Sequence, residues 1–414
     1  MFPLTSRNRF ARIATLAVFV FCFSLAQLLA QIDTATIPVP ANYFGMHEMD
    51  SSAWPTASFG AYAKGSRVTW SYIEQTKGVY DWTNLDAYVN NAQSHGQSFY
   101  YTSLYVPPWA AKDPATCSTP ANDVVPRCTS SVTNIQDWDN FLTALINRYK
   151  GRITMYELWN EPDVATFTGT VAEMQTLTQH FHDKVRLLDP KALIASPSAI
   201  GSSYMDTYWS TGGVKDVDVI AIHGYPDVRH NDVAESIGGF KTSPLKKKMT
   251  TYGLAGKPMW DTEASWGNQT RSITDPDLQA AFIVRHFLLH WANGVSRYYW
   301  YAWDNSLWGT LTDSTGKPNK PGLAYAQVYN WMLGTTMPSG CSMGTGTLYH
   351  ATYTCVLTRP PATYQGLAVW NTDGPTTYTA SSIYKTYRDL DGVTRTVPAN
   401  HVVSIGTKPI LLEN

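Results

Sequence analysis

Short runs of apolar, β-branched and aromatic residues alternate with longer stretches of helical periodicity over residues 41–334. This rhythm is typical of parallel strands joined by crossover helices. Eight such runs close a barrel with no strand left over, whereas an open doubly wound sheet usually has fewer. The runs are Tyr43–Glu48, Ser66–Trp70, Ser98–Tyr105, Ile153–Asn160, Leu193–Pro197, Val217–His223, Pro258–Glu263 and Arg297–Trp303. The pattern therefore predicts an α/β fold of the (β/α)8 TIM-barrel type.

Three of the helical stretches have well-marked ends. Each closes on or just before a glycine, the residue favoured just past the last helical turn. The stretches are Thr83–His95 before Gly96, Ile135–Tyr149 before Gly151, and Asp275–Ala292 before Asn293 and Gly294. The residues that follow the strands instead include clusters of Trp, His, Glu, Asn and Pro. Loops at that face of a barrel carry the chemistry of barrel enzymes, so we expect a functional site there.

The periodicity changes after Gly334. Helical spacing stops there, and short runs rich in Thr, Tyr and Val follow. These runs are Leu348–Val356, Tyr364–Asn371, Thr376–Tyr387 and His401–Leu412. We therefore expect a barrel over residues 31–334 and a small all-β module over residues 335–414.

Residues 1–30 carry the pattern of a secretory signal peptide. Three arginines precede the apolar run Ile13–Ala30, which ends in small residues and is followed by a polar segment. A membrane anchor is the alternative, because the run approaches the length that spans a bilayer. The small residues suit cleavage, so we expect an exported protein, extracellular or periplasmic, with no stable membrane association once the signal is removed.

Cys22 lies within the signal peptide, and the other four cysteines form two local pairs. Cys117 and Cys128 flank a proline-rich loop, and Cys341 and Cys355 flank a loop rich in Gly and Thr. In an exported protein such short-range pairs are more often disulfides than metal ligands. We therefore expect two disulfides. We expect neither a metal nor an organic cofactor, because no cluster of metal-ligating residues appears in the sequence.

The composition favours a carbohydrate partner. Formal net charge is −1 and charged residues make up 15% of the chain, so the basic patch that nucleic acid would need is not indicated. Aromatic residues are abundant instead, with 15 Trp and 25 Tyr. Many of them serve core packing, but an indole or phenol ring also offers a flat surface to a sugar ring. The composition does not indicate an oligomeric state.

The segment Trp159-Asn160-Glu161-Pro162 ends the fourth predicted strand. It resembles the acid/base motif of clan A glycoside hydrolases, retaining enzymes built on the same barrel. The resemblance implies that Glu161 protonates the glycosidic oxygen and that Asn160 hydrogen-bonds the sugar 2-hydroxyl. The bulky apolar neighbours limit hydration of the carboxyl, which raises a carboxyl pKa as a general acid requires. The alternative is an ordinary loop carboxylate in a chance tetrapeptide.

The seventh predicted strand ends in Asp261-Thr262-Glu263 and resembles the nucleophile strand of the same clan. Strands four and seven face each other across a barrel mouth, where two carboxylates can approach to about 5–5.5 Å, the separation of a covalent mechanism. Asp261 and Glu263 leave the same face of the strand. Asp261 lies about 6–7 Å deeper, at roughly 3.3 Å per residue, where barrel side chains pack in layers. We therefore expect Glu263 to be the nucleophile.

The sixth predicted strand carries His223 and Tyr225, which share one strand face. A lone strand histidine is more often a satisfied core group. With Tyr225 two residues on, the pair is similar to a motif of the clan. The resemblance implies that Tyr225 hydrogen-bonds the nucleophile and that His223 lies near the acid/base.

Two further residues are candidates by the same resemblance. Arg67, on the second predicted strand, matches a clan arginine that supports the nucleophile as a charge partner and keeps its pKa low. Pairing of Arg67 with Asp261 is the alternative. Trp303, on the eighth, is expected to form the floor of subsite −1 in preference to Trp300, which has the opposite parity.

The segment from Trp70 to Trp82 is most similar to glycoside hydrolase family 39 and its neighbours, which also carry a C-terminal β-module. Asp163 departs from that pattern, because Asn is common after the proline. The resemblance implies a retaining glycoside hydrolase that cleaves O-glycosidic bonds in oligo- or polysaccharides by double displacement. Alternatives are a transglycosylase with the same covalent intermediate and a carbohydrate-binding barrel that has lost catalysis. The last typically lacks one carboxylate, and both are present here.

Overall fold

The computed structural model describes residues 34–50, 54–63, 67–121, 123–226, 233–267, 272–305, 308–359 and 363–414. The signal peptide expected over residues 1–30 lies outside these ranges. Within them, no helix is both long and apolar enough to cross a bilayer.

Eight parallel strands form the barrel that the sequence predicts. They are β1 Phe44–His47, β2 Ala61–Ala63, β3 Ser98–Thr102, β4 Met155–Glu157, β5 Leu193–Ala195, β6 Ile220–Ile222, β7 Met259–Ala264 and β8 Val295–Trp300. Their order in the sheet is β5-β4-β3-β2-β1-β8-β7-β6. A parallel bridge between Ala195 and Val219 joins the two outer strands, where Ser196 N donates to Val219 O at 2.9 Å. The barrel is therefore nearly closed, and the predicted fold class is confirmed.

Eight helices accompany the strands in the described part of the chain. They are α1 Trp70–Ile73, α2 Thr83–Ser94, α3 Ile135–Tyr149, α4 Val171–Leu188, α5 Ser202–Ser210, α6 Ser243–Thr251, α7 Pro276–Ala292 and α8 Lys320–Met332, and a π-helical turn, Ile237–Thr242, precedes α6. Helix α4 begins with a capping box, in which Thr170 and Glu173 each accept a backbone N–H of the other. Gly96 and Gly294 follow α2 and α7 with φ of 66° and 80°. The predicted ends of these helices therefore agree with the structure to within one residue.

The second strand is not where the sequence pattern placed it. We expected Ser66–Trp70, but β2 is Ala61–Ala63, and the chain from Trp70 onward turns into α1. The Glu74 carboxylate accepts from Trp70 Nε1 at 2.6 Å and from Gly78 N at 2.8 Å, which folds this segment back on itself. Alanine has a low strand propensity, so the pattern of β-branched and aromatic residues missed β2.

Small and large side chains alternate in the barrel interior. An inner cluster contains four alanines from three strands together with Tyr100, Trp260 and Tyr299, and all of these residues are buried. The Arg297 guanidinium stacks over the Trp260 ring at 3.9 Å from the centroid. The interior is therefore packed with side chains, and chemistry is confined to the open end of the strands.

The C-terminal region folds as antiparallel β-structure, as predicted. Its strands are β9 Cys341–Met343, β10 Thr352–Arg359, β11 Tyr364–Asn371, β12 Thr376–Thr379, β13 Thr386–Arg388, β14 Thr394–Thr396, β15 Val402–Ile405 and β16 Ile410–Glu413. Six of them form one sheet in the order β9-β10-β11-β16-β13-β14, and β12 pairs with β15. The Trp370 indole of β11 donates to buried Glu235 of the barrel region at 2.7 Å, so the β-structure packs directly against the barrel.

Both expected disulfides are present. Cys117 and Cys128 close a hairpin in the loop after β3, and Cys341 and Cys355 join β9 to β10. The two local pairs therefore serve as staples, as their spacing indicated.

Candidate active site

Glu161 lies at the rim of the barrel, just beyond β4. The ladder of backbone hydrogen bonds continues past the strand, with Asn160 N donating to Ser103 O at 3.2 Å and Glu161 N to Ser198 O at 3.0 Å. The Thr166 hydroxyl donates to the Glu161 carbonyl at 2.5 Å. Glu161 has a φ of 45°, which is uncommon for a residue other than glycine and costs on the order of 1–3 kcal/mol. These backbone contacts hold Glu161 in a conformation that an unconstrained loop would avoid.

His223, just beyond β6, is bound directly to Glu161. Its Nδ1 lies 2.6 Å from Glu161 Oε1, and the side chain is 1% exposed. Burial opposes protonation of this imidazole, but the negative charges of Glu263 and Glu161 outweigh burial and raise the pKa of His223 from 6.5 to about 10. The two carboxylates therefore favour the protonated form of His223, and its Nδ1 holds one oxygen of Glu161 in place.

Glu263, on β7, faces Glu161 across the barrel mouth. The Tyr225 hydroxyl donates to Glu263 Oε1 at 2.8 Å. Burial, and after it the charge of Glu263, raises the pKa of Tyr225 well above its ordinary value. Tyr225 therefore keeps its proton and acts as a hydrogen-bond donor that aims the Glu263 carboxylate.

The three side chains of Glu161, His223 and Glu263 converge. One oxygen of each carboxylate and one ring nitrogen all lie within 4.8 Å of one another. Such a set could also be read as ligands of a cation. The 2.6 Å between His223 Nδ1 and Glu161 Oε1, however, is the length of a strong hydrogen bond, and it is shorter than the separation of two ligands on one zinc ion, about 3.3 Å for metal–ligand bonds near 2.0–2.2 Å. The geometry favours proton transfer over metal binding.

Asp261 lies beneath Glu263 on the same strand and is fully buried. Its Oδ2 is 2.6 Å from His290 Nε2, and its Oδ1 accepts from the backbone N–H of Gly224 and of Glu263, each at 3.2 Å. A side chain at Gly224 would collide with this carboxylate, since an added Cβ would lie 2.1 Å from Oδ2. Asp261 thus ties the ends of β6 and β7 together, and its side-chain partner is His290, not Arg67.

Arg67 and Trp303 lie apart from this hydrogen-bonded group. Arg67 follows β2 in a loop, where its side chain is exposed and forms no ion pair with any residue of the described ranges. Its expected position depended on the strand that the pattern misplaced. Trp303 lies beyond β8 and is 4% exposed. Trp300 is fully buried, and its Nε1 donates to Gly309 O at 2.7 Å.

Tyr301, which follows β8, lies within electrostatic range of both carboxylates. The sequence analysis missed this residue. Burial raises the pKa of Tyr301, and the charges of Glu263 and Glu161 raise it further. Its ring centroid lies 5.2 Å from that of His47. Tyr301 and Trp303 have the same strand parity, so alternation alone offered no reason to prefer either.

Glu157 is a further buried carboxylate near the site, and the sequence analysis also missed it. It is 0% exposed at the end of β4 and accepts a hydrogen bond from the Ser198 hydroxyl. Its charge adds to the rise in the pKa of His223. A glutamate inside an otherwise apolar strand was the signal that could have identified it, because buried carboxylates are rare without a partner.

A (β/α)8 barrel with two facing carboxylates beyond β4 and on β7 defines the class of clan A glycoside hydrolases. The chain matches the family described as glycosyl hydrolase catalytic core over residues 66–325, which is more than half of its length. The protein belongs to this family.

Solved structures of similar fold include several glycosidases. A family 39 glycoside hydrolase from the gut symbiont Bacteroides cellulosilyticus WH2 is 18% identical, with a TM-score of 0.67 over 92% of this chain and 81% of that one. A glucosidase from Croceicoccus marinus is 11% identical, with a TM-score of 0.63 over 92% and 96%. A monomeric beta-xylosidase from Caulobacter crescentus CB15 is 14% identical, with a TM-score of 0.61 over 93% and 98%. At these identities the similarity shows a shared fold.

Proposed function

We propose that this protein is a retaining O-glycosidase in which Glu161 is the general acid/base and Glu263 the nucleophile. The observation that carries the proposal is the approach of the two carboxylates from opposite sides of the barrel mouth, with oxygens within 4.8 Å. Carboxyl groups about 5–5.5 Å apart suit a covalent mechanism, whereas inversion needs about 6.5–9.5 Å to admit a water molecule.

In the first step, Glu263 attacks the anomeric carbon while Glu161 donates a proton to the glycosidic oxygen. The bond from the anomeric carbon to that oxygen breaks, the leaving group departs as an alcohol, and an ester joins the sugar to Glu263. In the second step, Glu161 takes a proton from water as the water oxygen attacks the anomeric carbon. The ester bond breaks, Glu263 is again a carboxylate, and the sugar keeps its original configuration.

The neighbouring residues orient the two carboxylates. Tyr225 donates to Oε1 of Glu263 and so orients the attacking carboxylate. His223 fixes Oε1 of Glu161, which leaves Oε2 for the glycosidic oxygen. We assign Asn160 to the sugar 2-hydroxyl, as its motif implies.

Three further side chains are proposed to support the reacting sugar. Tyr301 lies in electrostatic range of both carboxylates and is placed beside the sugar in subsite −1. Trp303 follows Tyr301 by two residues beyond β8, and Arg67 belongs to the loop after β2, where its side chain is exposed. Each of these three side chains is proposed to contact the bound carbohydrate.

Export is part of the proposal. Disulfides form and persist in oxidising compartments, and two are present here. Together with the signal pattern over residues 1–30, they favour an extracellular or periplasmic enzyme acting on glycans outside the cytoplasm.

The proposal is tested by the stereochemistry of hydrolysis. Two structural relatives are described as a beta-xylosidase and a glucosidase, so aryl β-D-xylosides and β-D-glucosides are the first probes. We expect proton NMR during hydrolysis to show the β-anomer of the sugar as the first product. First appearance of the α-anomer, or no hydrolysis across a wider glycan panel, would overturn the mechanism or the activity. Added alcohols that capture the sugar in place of water would identify a transglycosylase on the same intermediate.

A further inference from the structure

The loop between β3 and α3 carries a hairpin that borders the site. Cys117–Ser118 pairs with Arg127–Cys128, and the disulfide closes the hairpin. Cys128 and Val106 exchange two backbone hydrogen bonds, at 2.9 and 3.0 Å. Arg127 is thereby held next to Tyr105, the residue that precedes Val106.

The Arg127 guanidinium stacks on the Tyr105 ring, 4.5 Å from its centroid. Both residues are partly exposed. Burial raises the pKa of Tyr105, the Arg127 charge opposes that rise, and the charges of Glu161 and Glu263 add to it. Tyr105 therefore stacks on Arg127 and lies within electrostatic range of both carboxylates of the site. Its φ of 55° shows that the surroundings hold it in an unfavourable backbone conformation.

The hairpin also contacts the loop that carries Glu161. Thr168 N donates to Thr129 O at 2.8 Å, and the two threonine hydroxyls lie 3.3 Å apart. A general acid protonates the oxygen of the departing group, so the leaving-group sugar must lie on the side of Glu161. Arg127, two residues before Thr129, is therefore on the leaving-group side of the cleaved bond.

Arg127 forms no ion pair with a carboxylate in the described part of the chain. Stacking on Tyr105 fixes the plane of the guanidinium and leaves its N–H edge available. Such a fork matches the geometry of a carboxylate or a sulfate, and it loses little conformational entropy on binding because it is already oriented. A neutral sugar would leave this charge without an ionic partner.

We propose that Arg127, held on Tyr105 by the disulfide hairpin, forms a subsite for a leaving-group sugar that carries a carboxylate or sulfate. The inference rests on the proposed function, because Glu161 must be the general acid for the leaving-group side to be defined. It adds a substrate class, acidic oligosaccharides cut next to a charged residue.

The test uses pairs of aryl glycosides that differ only in charge. The 3-carboxyphenyl and 3-carbamoylphenyl β-D-xylosides and β-D-glucosides place a carboxylate or a neutral amide in the leaving group, and a 3-sulfophenyl glycoside separates carboxylate from sulfonate recognition. We expect the wild-type protein to show a KM about tenfold lower for the charged member, as hydrogen bonds to charged groups allow. Arg127→Gln should bring the ratio close to one, and Arg127→Lys should retain part of it.

Arg359 offers a matched control. Its guanidinium lies 5.1 Å from the Tyr364 ring centroid in the C-terminal β-structure, away from the site. Arg359→Gln therefore removes a similar arginine–tyrosine contact and leaves the hairpin unchanged. We expect its KM ratio to equal that of wild type. A ratio that persists in Arg127→Gln, or a wild-type protein that binds both probes equally, would overturn the subsite.

Binding measurements separate this inference from the proposed function. Calorimetric titration of Glu161→Gln, with and without Arg127→Gln, gives Kd values for the same probes without turnover. A preference for the charged probe that disappears with Arg127 supports the subsite even if no probe is hydrolysed. Hydrolysis with retained configuration but equal Kd values would support the proposed function and reject the subsite.

Discussion

Tyr225 and Glu263 form a hydrogen bond of 2.8 Å between the phenol oxygen and Oε1. Because the pKa of Tyr225 is raised well above its ordinary value by burial and by the charge of Glu263, this phenol donates throughout the working pH range. The bond orients the Glu263 carboxylate, and it must weaken when Glu263 loses its charge in the glycosyl ester.

Tyr225→Phe should therefore lower kcat more than it alters KM. Hydrogen bonds to charged groups contribute about 1.5–3 kcal/mol, so we expect a loss in kcat of about 10–100-fold. Steady-state kinetics on an aryl glycoside measures it. Tyr208→Phe is the control, because the Tyr208 hydroxyl hydrogen-bonds Thr178 at 2.7 Å in the helical layer. That variant should lose stability and keep kcat, and equal kcat values for both variants would contradict the role of Tyr225.

Glu161→Ala should nearly abolish hydrolysis of glycosides with poor leaving groups, by about 10²–10⁴-fold, because proton donation to the departing oxygen is lost. Glycosides of dinitrophenol should still form the covalent intermediate, since that leaving group needs no proton. External azide should then restore turnover and yield a glycosyl azide of retained configuration. Normal activity of the variant on unactivated glycans would rule out Glu161 as the acid.

Asp163 departs from the asparagine that the family pattern favours, and its contacts give the departure a physical reason. Its Oδ1 accepts from Ile200 N at 3.0 Å and its Oδ2 from Gly201 N at 2.7 Å, so both oxygens hold the start of α5. An asparagine has one side-chain oxygen and would point an NH2 group at the other N–H. The carboxylate thus ties the loop of Glu161 to the loop after β5.

Asp163→Asn should destabilise the protein by about 1–3 kcal/mol and lower kcat severalfold, because one charged hydrogen bond is lost next to Glu161. Thermal unfolding and steady-state kinetics measure the two effects. Asp206→Asn is a matched control, since Asp206 pairs with Lys248 and Tyr252 on the helical surface. An Asp163→Asn enzyme with wild-type stability would show that the two hydrogen bonds of Asp163 do not contribute to the free energy of unfolding.

The pKa of His223 sets a pH dependence of stability. It rises from 6.5 to about 10 because Glu263 and Glu161 outweigh the effect of burial. A group with a raised folded-state pKa stabilises fully below its unfolded-state pKa and loses that stabilisation as the pH rises through the folded-state value. Compared with His223→Gln, the wild-type protein should have its largest excess free energy of unfolding below pH 6.5, and this excess should decline as the pH rises from 6.5 to about 10. Denaturant unfolding at several pH values measures this, and an excess that does not change with pH would contradict it.

The sequence predicted the strands with clear β-branched or aromatic patterns, and it failed at β2, where Ala61 and Ala63 are small because the barrel interior there is crowded by Tyr100. The acid/base and nucleophile candidates were found because their motifs are local in sequence. Tyr301 and Glu157 were not, since their proximity to the carboxylates depends on the closure of the barrel and not on spacing along one strand.

The choice between Asp261 and Glu263 as nucleophile is the last prediction. Asp261 is 0% exposed, with one oxygen on His290 and the other on two backbone N–H groups, so it has no path to a sugar. Glu263 is partly exposed and faces Glu161. A 2-deoxy-2-fluoro glycoside with a good leaving group slows breakdown of the ester, so we expect a covalent adduct on Glu263 in peptide mass spectrometry. Asp261→Asn should lower stability, because it weakens the buried hydrogen bond to His290, and should still form the adduct. An adduct mapped to Asp261 would overturn both the nucleophile and the positioning role given to that residue.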